Sequence, residues 1–407
     1  MERINKQKLI HPPECFQRSE LERRQTAHKF VHLAKVEAFA WDLELYAQLQ
    51  KYFEERVVLK GGAAAQLYFP VPLQRNSVDV DVITDLPVEE LEAGLNAIAN
   101  EICPTGEICN FTAYVPKRPT DGLRVTKYEV QIPSICPPEM TRNPGAQTLT
   151  LDVLYGKIPS AHLLDHGLQT FALDLAFAPR LITADALFGD KLLTLASTTV
   201  GIPDERANDR CKQLYDLHRL VDLQLLRDST EIQDSFKHCM DIQHQLSGQR
   251  DFSLEDAVID VERFLQRARL LDFDDPLKLW MSLRSFQSNF VGVDARILRD
   301  EWAVGIERLR LLVEGLLAQQ QDSNVEPLAV LKGAQALEQI AQRGFEESDD
   351  PEARSKHVQE VKERFRNFCE IKKIRTRTVQ GLSPLRAFWC LVTFENIQEI
   401  EDLLKDL

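Results

Sequence analysis

Two aspartates separated by one residue, Asp79 and Asp81, lie in the segment SVDVDVIT, where polar and apolar residues alternate. This alternation predicts a β-strand, and residues two apart in a strand share one face of the sheet. Two carboxylates on one face repel each other unless a cation lies between them. Mg²⁺ suits such oxygen ligands and keeps positions open for phosphate and water. The pair therefore indicates a metal and phosphate site, with a solvated strand face as the alternative.

Groups suited to phosphate precede the two acids. Gly61 and Gly62 form the only Gly-Gly pair of the chain, where a short apolar run is predicted to turn into a helix. Glycine lets a phosphate approach the backbone closely, and a helix N-terminus favours negative charge. Arg75 and Ser77 could hold phosphate oxygens through a guanidinium and a hydroxyl. A simple turn is the alternative interpretation of the glycine pair.

A third acid, Asp152, lies between Leu151 and Val153 in the predicted strand TLTLDVLYG. A charge among apolar residues is costly to bury without a partner. The Asp79–Asp81 pair and its metal would be such a partner, and an exposed face of an edge strand is the alternative.

The elements that must position these residues form two regions. Residues 20–54 favour one or two helices, and residues 55–156 mix strand and helix patterns. From about residue 183, apolar residues recur at three- and four-residue intervals, which is typical of helices. We therefore predict an α+β fold with a mixed α/β lobe over residues 1–180 and an all-helical lobe over residues 181–407. Strands are expected at 77–84, 123–133 and 148–156, and helices at 86–102, 254–271, 276–288, 293–320, 326–344, 353–371 and 395–407.

Composition limits the classes of function. The 407 residues include 49 Lys and Arg against 63 Asp and Glu, a net charge of −14. This excludes a protein that coats nucleic acid indiscriminately, but it permits a local basic patch. No run of about 18 apolar residues occurs, and the start MERINKQKLI lacks the apolar region of a signal peptide. The eight cysteines form no CxxC pair. We expect a cytoplasmic protein without a membrane partner.

The segment KGG, followed by R-x-S-x-D-x-D and a carboxylate on a later strand, resembles the nucleotidyltransferase fold of the DNA polymerase-β superfamily. More narrowly it is similar to the AbiEii family of nucleotidyltransferase-like toxins from type IV toxin–antitoxin and abortive-infection systems. Two further blocks match that family, LFGDKLL with Lys191 and KQLYDL with Asp216. The resemblance spans roughly residues 57–222. It departs from the family at Ala63, at Asp190 and at Lys212-Gln213.

The resemblance implies a transfer of NMP from an NTP to an acceptor, with Mg²⁺ or Mn²⁺. The acceptor it implies is RNA, above all the tRNA 3′ end, and it implies a toxin of phage defence with an antitoxin partner. The first helices of the helical lobe would complete the active site. The implied catalytic residues are Asp79, Asp81, Asp152, Lys191 and Asp216. The implied nucleotide-binding residues are Lys60, Gly61, Gly62, Arg75, Ser77 and Lys191, and the implied metal ligands are Asp79, Asp81 and Asp152.

Other interpretations stay open. The acceptor could be a protein or a small molecule, or the chain could be a catalytically silent nucleotide-binding interaction module. Residues 354–377 carry nine Lys and Arg against three Glu, with Phe365 and Phe368 between them. This segment is either an RNA-binding surface or a solvated helix face with its aromatic residues in the core.

Overall fold

The computed structural model describes residues 4–77, 79–105, 111–114, 125–136, 146–247, 252–269, 278–346, 351–374 and 382–405. Strands in these ranges join one mixed sheet. They are β1 (Val57–Lys60), β2 (Asp79–Thr84), β3 (Phe111–Tyr114), β4 (Val125–Pro133), β5 (Ala146–Tyr155), β6 (Ala161–Leu163) and β7 (Arg180–Ile182). Their order is β3-β4-β5-β2-β1-β7-β6. β2 runs antiparallel to β1 and parallel to β5, so the strand with the two aspartates is central.

Some helices precede β4 in the chain and the others follow β7. Those before β4 are α1 (Arg18–Ala27), α2 (Leu33–Phe53), α3 (Gly61–Tyr68) and α4 (Val88–Ile102). Those after β7 are α5 (Ala184–Leu193), α6 (Ala207–Asp222), α7 (Ser229–Ser247), α8 (Leu254–Ala268), α9 (Leu279–Phe290), α10 (Arg299–Gln321), α11 (Pro327–Glu346), α12 (Pro351–Ile371), α13 (Pro384–Leu391) and α14 (Ile397–Leu404). Short 3-10 turns cover Lys6–Lys8, Pro13–Phe16, Glu54–Arg56, Val71–Leu73, Asp204–Arg206 and Val293–Ala295.

The two faces of the sheet pack into different hydrophobic clusters, because successive strand residues point to opposite sides. Val80 and Val82 of β2 join a cluster with α2 and α4. Val58 and Ile83 join a second cluster that continues through the helices from α5 to α14. The helical region therefore shares a core with one face of the sheet, and a division between residues 180 and 181 stays a prediction.

The α+β class is confirmed, as are the strands at β2, β4 and β5. The short strands β3, β6 and β7 are not predicted, because three or four residues are too few to show a period. The helix α13 is not predicted either, since its eight residues span only about two turns. β5 lies between β4 and β2, so the edge-strand alternative for Asp152 is wrong. In the described residues, no helix is both long and apolar enough to cross a membrane.

The helix expected at 293–320 begins only at Arg299. The side chain of Gln287 accepts a hydrogen bond from the Ile297 backbone N–H (2.6 Å) and donates one to the Ile297 carbonyl oxygen (3.2 Å). This pairing holds the chain extended at Arg296, which has φ −69° and ψ 131°. The apolar period alone could not reveal a side chain that occupies the backbone groups a helix would use.

Candidate functional site

The turn between β1 and α3 lies directly against the acidic strand. Gly61 has φ +70°, and a Cβ atom there would lie 1.9 Å from Oδ2 of Asp81. A Cβ atom on Gly62 would lie 2.7 Å from Oγ of Ser77. Both positions therefore need glycine, Gly61 for its left-handed backbone and both for space. The N-cap residue of α3 makes no side-chain hydrogen bond to the first turn, so the first N–H groups of the helix can donate to an anion.

The three predicted acids lie on adjacent parallel strands. Asp81 of β2 is the register partner of Asp152 of β5, and Asp79 pairs with Thr150. Burial raises the pKa of Asp81 to about 7, and the Asp152 and Asp79 charges add to this against the opposing charge of Lys60. The site thus concentrates carboxyl groups at the start of β2 and at the position beside it within β5.

This donor set fits a divalent cation in charge and in atom type, since hard cations prefer carboxylate oxygens. Asp152 Oδ1 lies 3.3 Å from Nζ of Lys127, its register partner on β4. Across the described ranges, no three His, Cys, Asp or Glu side chains are already grouped to hold a metal ion. Metal ligation by Asp79, Asp81 and Asp152 therefore stays a prediction.

Lys60, the residue before the glycine pair, is the register partner of Asp81 across β1 and β2. Its Nζ lies 3.1 Å from Oδ2 of Asp190 on α5. Burial lowers the pKa of Lys60, but the negative charges around it, first Asp190 and then Cys239 and Asp81, together with the hydrogen bond to Asp190, outweigh burial and raise the pKa overall. Lys60 therefore stays charged beside Asp81, and the departure at Asp190 supplies its partner.

Asp216 of α6 is fully buried and joins two of the predicted cationic residues. Its Oδ2 accepts from Nη2 of Arg75 (2.5 Å) and lies 2.8 Å from Nζ of Lys191. Its Oδ1 accepts from Nε of Arg75 (2.9 Å) and from Nε2 of Gln66 (3.1 Å). Burial raises the pKa of Asp216, but the charges of Arg75 and Lys191 lower it more. Asp216 thus positions the two cations.

The departure at Gln213 also has a structural role. Nζ of Lys191 donates to Oε1 of Gln213 (2.9 Å), in addition to its ion pair with Asp216. The Lys191 side chain is only 3% exposed. The neutral side chain of Gln213 therefore binds this lysine without neutralising its positive charge.

An open cleft of about 190 Å³ lies beside the acids. It is lined by Gly62, Arg75, Asn76, Ser77, Asp79, Asp81, Ile202, Arg206, Asp209, Lys212, Gln213 and Phe290. Five predicted site residues are in this set, namely Gly62, Arg75, Ser77, Asp79 and Asp81. Five others are not among the lining residues, namely Lys60, Gly61, Asp152, Lys191 and Asp216.

Sequence reasoning missed several residues of the site. Asn76 lies inside the recognised motif and is 1% exposed, and both atoms of its side-chain amide lack a hydrogen-bond partner within the described part of the chain. Gln66 links α3 to Asp216 and also accepts from the Arg75 backbone N–H at 2.7 Å. A lone polar residue in AAAQL was its only signal. Phe290 had none, because it is more than 200 residues from the acidic strand in sequence.

The basic segment behaves mainly as a solvated helix. Phe365 and Phe368 of α12 are buried in the core. Nζ of Lys372 lies 2.5 Å from a carboxylate oxygen of Glu399. Of the nine basic residues, the last two, at 375 and 377, fall outside the described ranges, as does the side chain at 354. The described contacts favour the alternative without RNA.

Comparisons with known proteins identify the family of the chain. The family model described as the nucleotidyl transferase AbiEii toxin of type IV toxin–antitoxin systems matches residues 45–284, more than half of the chain. The nucleotidyltransferase toxin MenT4 of Mycobacterium tuberculosis aligns at 18% identity and a TM-score of 0.38, covering 74% of this chain and 98% of its own. An antigenic nucleotidyltransferase-like protein of Paracoccidioides brasiliensis aligns at 14% identity and a TM-score of 0.30, covering 52% and 91%. No curated protein sequence matches the chain significantly.

Proposed function

The chain belongs to the family of AbiEii nucleotidyl transferase toxins and is a nucleotidyltransferase, and we propose that it transfers NMP from an NTP to RNA, with the tRNA 3′ end as the acceptor. The observation that carries this proposal is the register pairing of Asp81 with Asp152 on neighbouring parallel strands. The glycine turn lies against the same aspartate. The N-terminus of α3 favours the phosphate groups of an NTP, and the neighbouring carboxylates suit the metal ion that such a substrate carries.

In the proposed reaction, an acceptor hydroxyl oxygen forms a bond to the α-phosphorus of the NTP. The bond from that phosphorus to the oxygen of the β-phosphate breaks, and pyrophosphate leaves. The backbone at Gly61 and Gly62, with Ser77, would hold phosphate oxygens at the start of α3. Asp152 would lie near the acceptor hydroxyl and assist the loss of its proton. Arg75, which lines the cleft, and Lys191, which does not, would add positive charge, and Asp216 holds both of them in place.

A divalent metal ion is part of this proposal. Asp79, Asp81 and Asp152 would hold it, because they are the carboxylates that the pairing of β2 with β5 brings side by side. When bound, such an ion neutralises phosphate charge and stabilises the attacking and leaving oxygens. Removal of Mg²⁺ by EDTA should therefore abolish transfer, and added Mg²⁺ or Mn²⁺ should restore it.

We propose further that the chain acts as the toxin of a toxin–antitoxin pair, which the family description supports. Induction of the chain alone should arrest growth, and co-expression of an antitoxin should relieve the arrest. Induction of Asp81→Ala should leave growth normal. Growth arrest by the variant at equal protein level would contradict a toxicity based on nucleotidyl transfer.

The acceptor is tested by labelling. The purified protein and Asp81→Ala are each incubated with every α-labelled NTP and Mg²⁺, together with total RNA or total protein. The proposal expects label in RNA from the wild type alone. Label in protein would replace the RNA acceptor by a protein acceptor. NTP binding without any transfer would indicate a silent binding module.

A further inference from the structure

A group of basic side chains surrounds one aromatic ring at the edge of the cleft. Nζ of Lys35 lies 3.5 Å from the ring centroid of Phe290, and Nζ of Lys212 lies 5.1 Å from the same centroid. Both Phe290 and Lys212 line the cleft with Asp79 and Asp81. We call Lys35, Lys212 and Phe290 the cationic mouth. Three elements that are distant in sequence build it, namely α2, α6 and α9.

The cationic mouth has more positive charge than its acids neutralise. Asp209 is shared between Nη2 of Arg206 (2.7 Å) and Nζ of Lys212 (3.4 Å). Lys35 donates to the carbonyl oxygen of Asn289 (2.8 Å), and within the described ranges no carboxylate forms an ion pair with it. Arg206 and Lys212 therefore share one carboxylate and Lys35 pairs with none in the described ranges, in a chain whose net charge is −14.

The two lysines raise each other's energy. Burial lowers the pKa of Lys35 to about 8, and the positive charge of Lys212 contributes to this shift. Cation–π contact with Phe290 offsets part of the cost of the half-buried ammonium groups. A bound anion would reduce the repulsion, since Asp209 reaches only Lys212, at 3.4 Å, and in the described ranges no carboxylate pairs with Lys35.

The backbone fixes this arrangement to the active-site wall. The Asn76 backbone N–H donates to the carbonyl oxygen of Phe290 (2.8 Å), one residue before Ser77. Lys212 directly precedes Gln213, which binds Lys191. The mouth therefore keeps a fixed position relative to the groups proposed to hold the NTP.

The family model covers residues 45–284, so Lys35 and Phe290 lie outside it. Two of the three residues of the cationic mouth thus come from segments that the family pattern does not include. The mouth is a feature of this chain that neither the motif nor the family match assigns.

We propose that the cationic mouth binds a backbone phosphate of the acceptor RNA and so guides its 3′ end to the cleft. This rests on the proposed function. Phosphates of the NTP are the other source of the same anion, but the start of α3 and Ser77 offer them hydrogen-bond donors of their own. A lysine pair flanking an aromatic ring suits a phosphodiester and the base beside it.

The experiment measures binding without chemistry. Affinity for a 5′-fluorescein RNA of about 12 nucleotides ending in CCA is measured between about 50 and 200 mM salt, without NTP. Affinity for a fluorescent NTP is measured separately, without RNA. The variants are Lys35→Gln, Lys212→Gln and Lys35→Arg, with Lys51→Gln as the matched control, an exposed lysine at the other end of α2.

Each glutamine variant should bind the RNA about 10-fold more weakly, the loss of one charge-assisted hydrogen bond. The slope of log K against log salt should fall by about 0.7, as expected for one phosphate of a single strand. Lys35→Arg and Lys51→Gln should bind RNA as the wild type does, and NTP affinity should stay unchanged in all variants.

Unchanged RNA affinity in both glutamine variants would overturn the inference, as would weaker NTP binding with unchanged RNA binding, which would assign the mouth to the triphosphate. Absence of RNA binding by the wild type would overturn it too. Because the experiment measures binding and not nucleotide transfer, a failure of this inference can be distinguished from a failure of the proposed function. A wild type that binds RNA through Lys35 but transfers no nucleotide would refute the function and leave the mouth as an RNA site.

Discussion

The buried network around Asp216 allows a test in which two substitutions in one cluster have unequal effects. Asp216 is one negative charge against two positive charges, Arg75 and Lys191. Lys191→Met removes one cation and leaves a balanced, doubly hydrogen-bonded pair of Arg75 and Asp216. Asp216→Asn instead leaves two buried cations without a counter-charge. It also places the NH2 group of the new amide against the N–H donors of Arg75 or Lys191.

The magnitudes follow from burial. Breaking a buried ion pair by removal of one partner costs about 3–5 kcal/mol, because the other charge stays desolvated. Asp216→Asn should therefore lower the free energy of unfolding by at least about 3 kcal/mol. Lys191→Met should cost about 1–3 kcal/mol, mainly because the oxygen of Gln213 loses its donor.

The assay is urea denaturation followed by tryptophan fluorescence. Trp302 is a suitable probe, since its ring lies 6.3 Å from that of Tyr215, the neighbour of Asp216 in sequence. The variants are compared by their shift in midpoint, which does not require a two-state extrapolation. If the urea midpoint of Lys191→Met falls as much as that of Asp216→Asn, or more, the assignment of Asp216 as the anion that holds both cations is refuted.

Two further substitutions test other parts of the site. Asp42→Asn should stabilise the chain increasingly as pH rises, because burial raises the pKa of Asp42 well above its usual range, with Asp79 and Asp81 adding to the shift. Above the usual aspartate pKa the unfolded wild type ionises at this position while the folded wild type stays protonated, so the wild type loses up to about 1.4 kcal/mol of folding free energy per pH unit. Equal urea midpoints of the variant and the wild type from about pH 5 to about pH 8 would contradict this. Gly61→Ala should reduce transfer at least about 10-fold, since its Cβ atom would meet Asp81 at 1.9 Å. Gly167→Ala is the matched control, with φ +81° and open space around it; equal activity of the two variants would refute the steric reason.

Much of this molecule could be predicted from its sequence, because the relevant signals are local. The alternation of SVDVDVIT predicted β2 and the shared face of its two aspartates, and the glycine pair predicted a strand-to-helix turn. The resemblance to the AbiEii family, which rests on four short blocks, is confirmed. A local pattern of this kind records both the backbone conformation and the chemistry of the residues in it.

The rest depended on contacts between distant segments. Nothing near Lys35 or Phe290 in sequence indicates that they meet at 3.5 Å beside the cleft. Asp216 lies on an ordinary amphipathic helix, and its two cationic partners lie 141 and 25 residues earlier in the chain. Asp42 has no distinguishing sequence signal within the predicted helical stretch 20–54, yet the residue is 1% exposed. Such features follow from the packing of the helices on the sheet, which no local pattern encodes.

The most direct test of the central claim is the release of pyrophosphate that accompanies nucleotide incorporation into RNA. It is compared for the wild type, Asp81→Asn and the control Asp85→Asn, an exposed acid paired with Arg56 at 3.1 Å just after β2. We predict equal amounts of pyrophosphate and incorporated nucleotide for the wild type and the control, and a rate at least about 100-fold lower for Asp81→Asn. Wild-type rates in Asp81→Asn would contradict the assignment of Asp79, Asp81 and Asp152 as the site of nucleotidyl transfer.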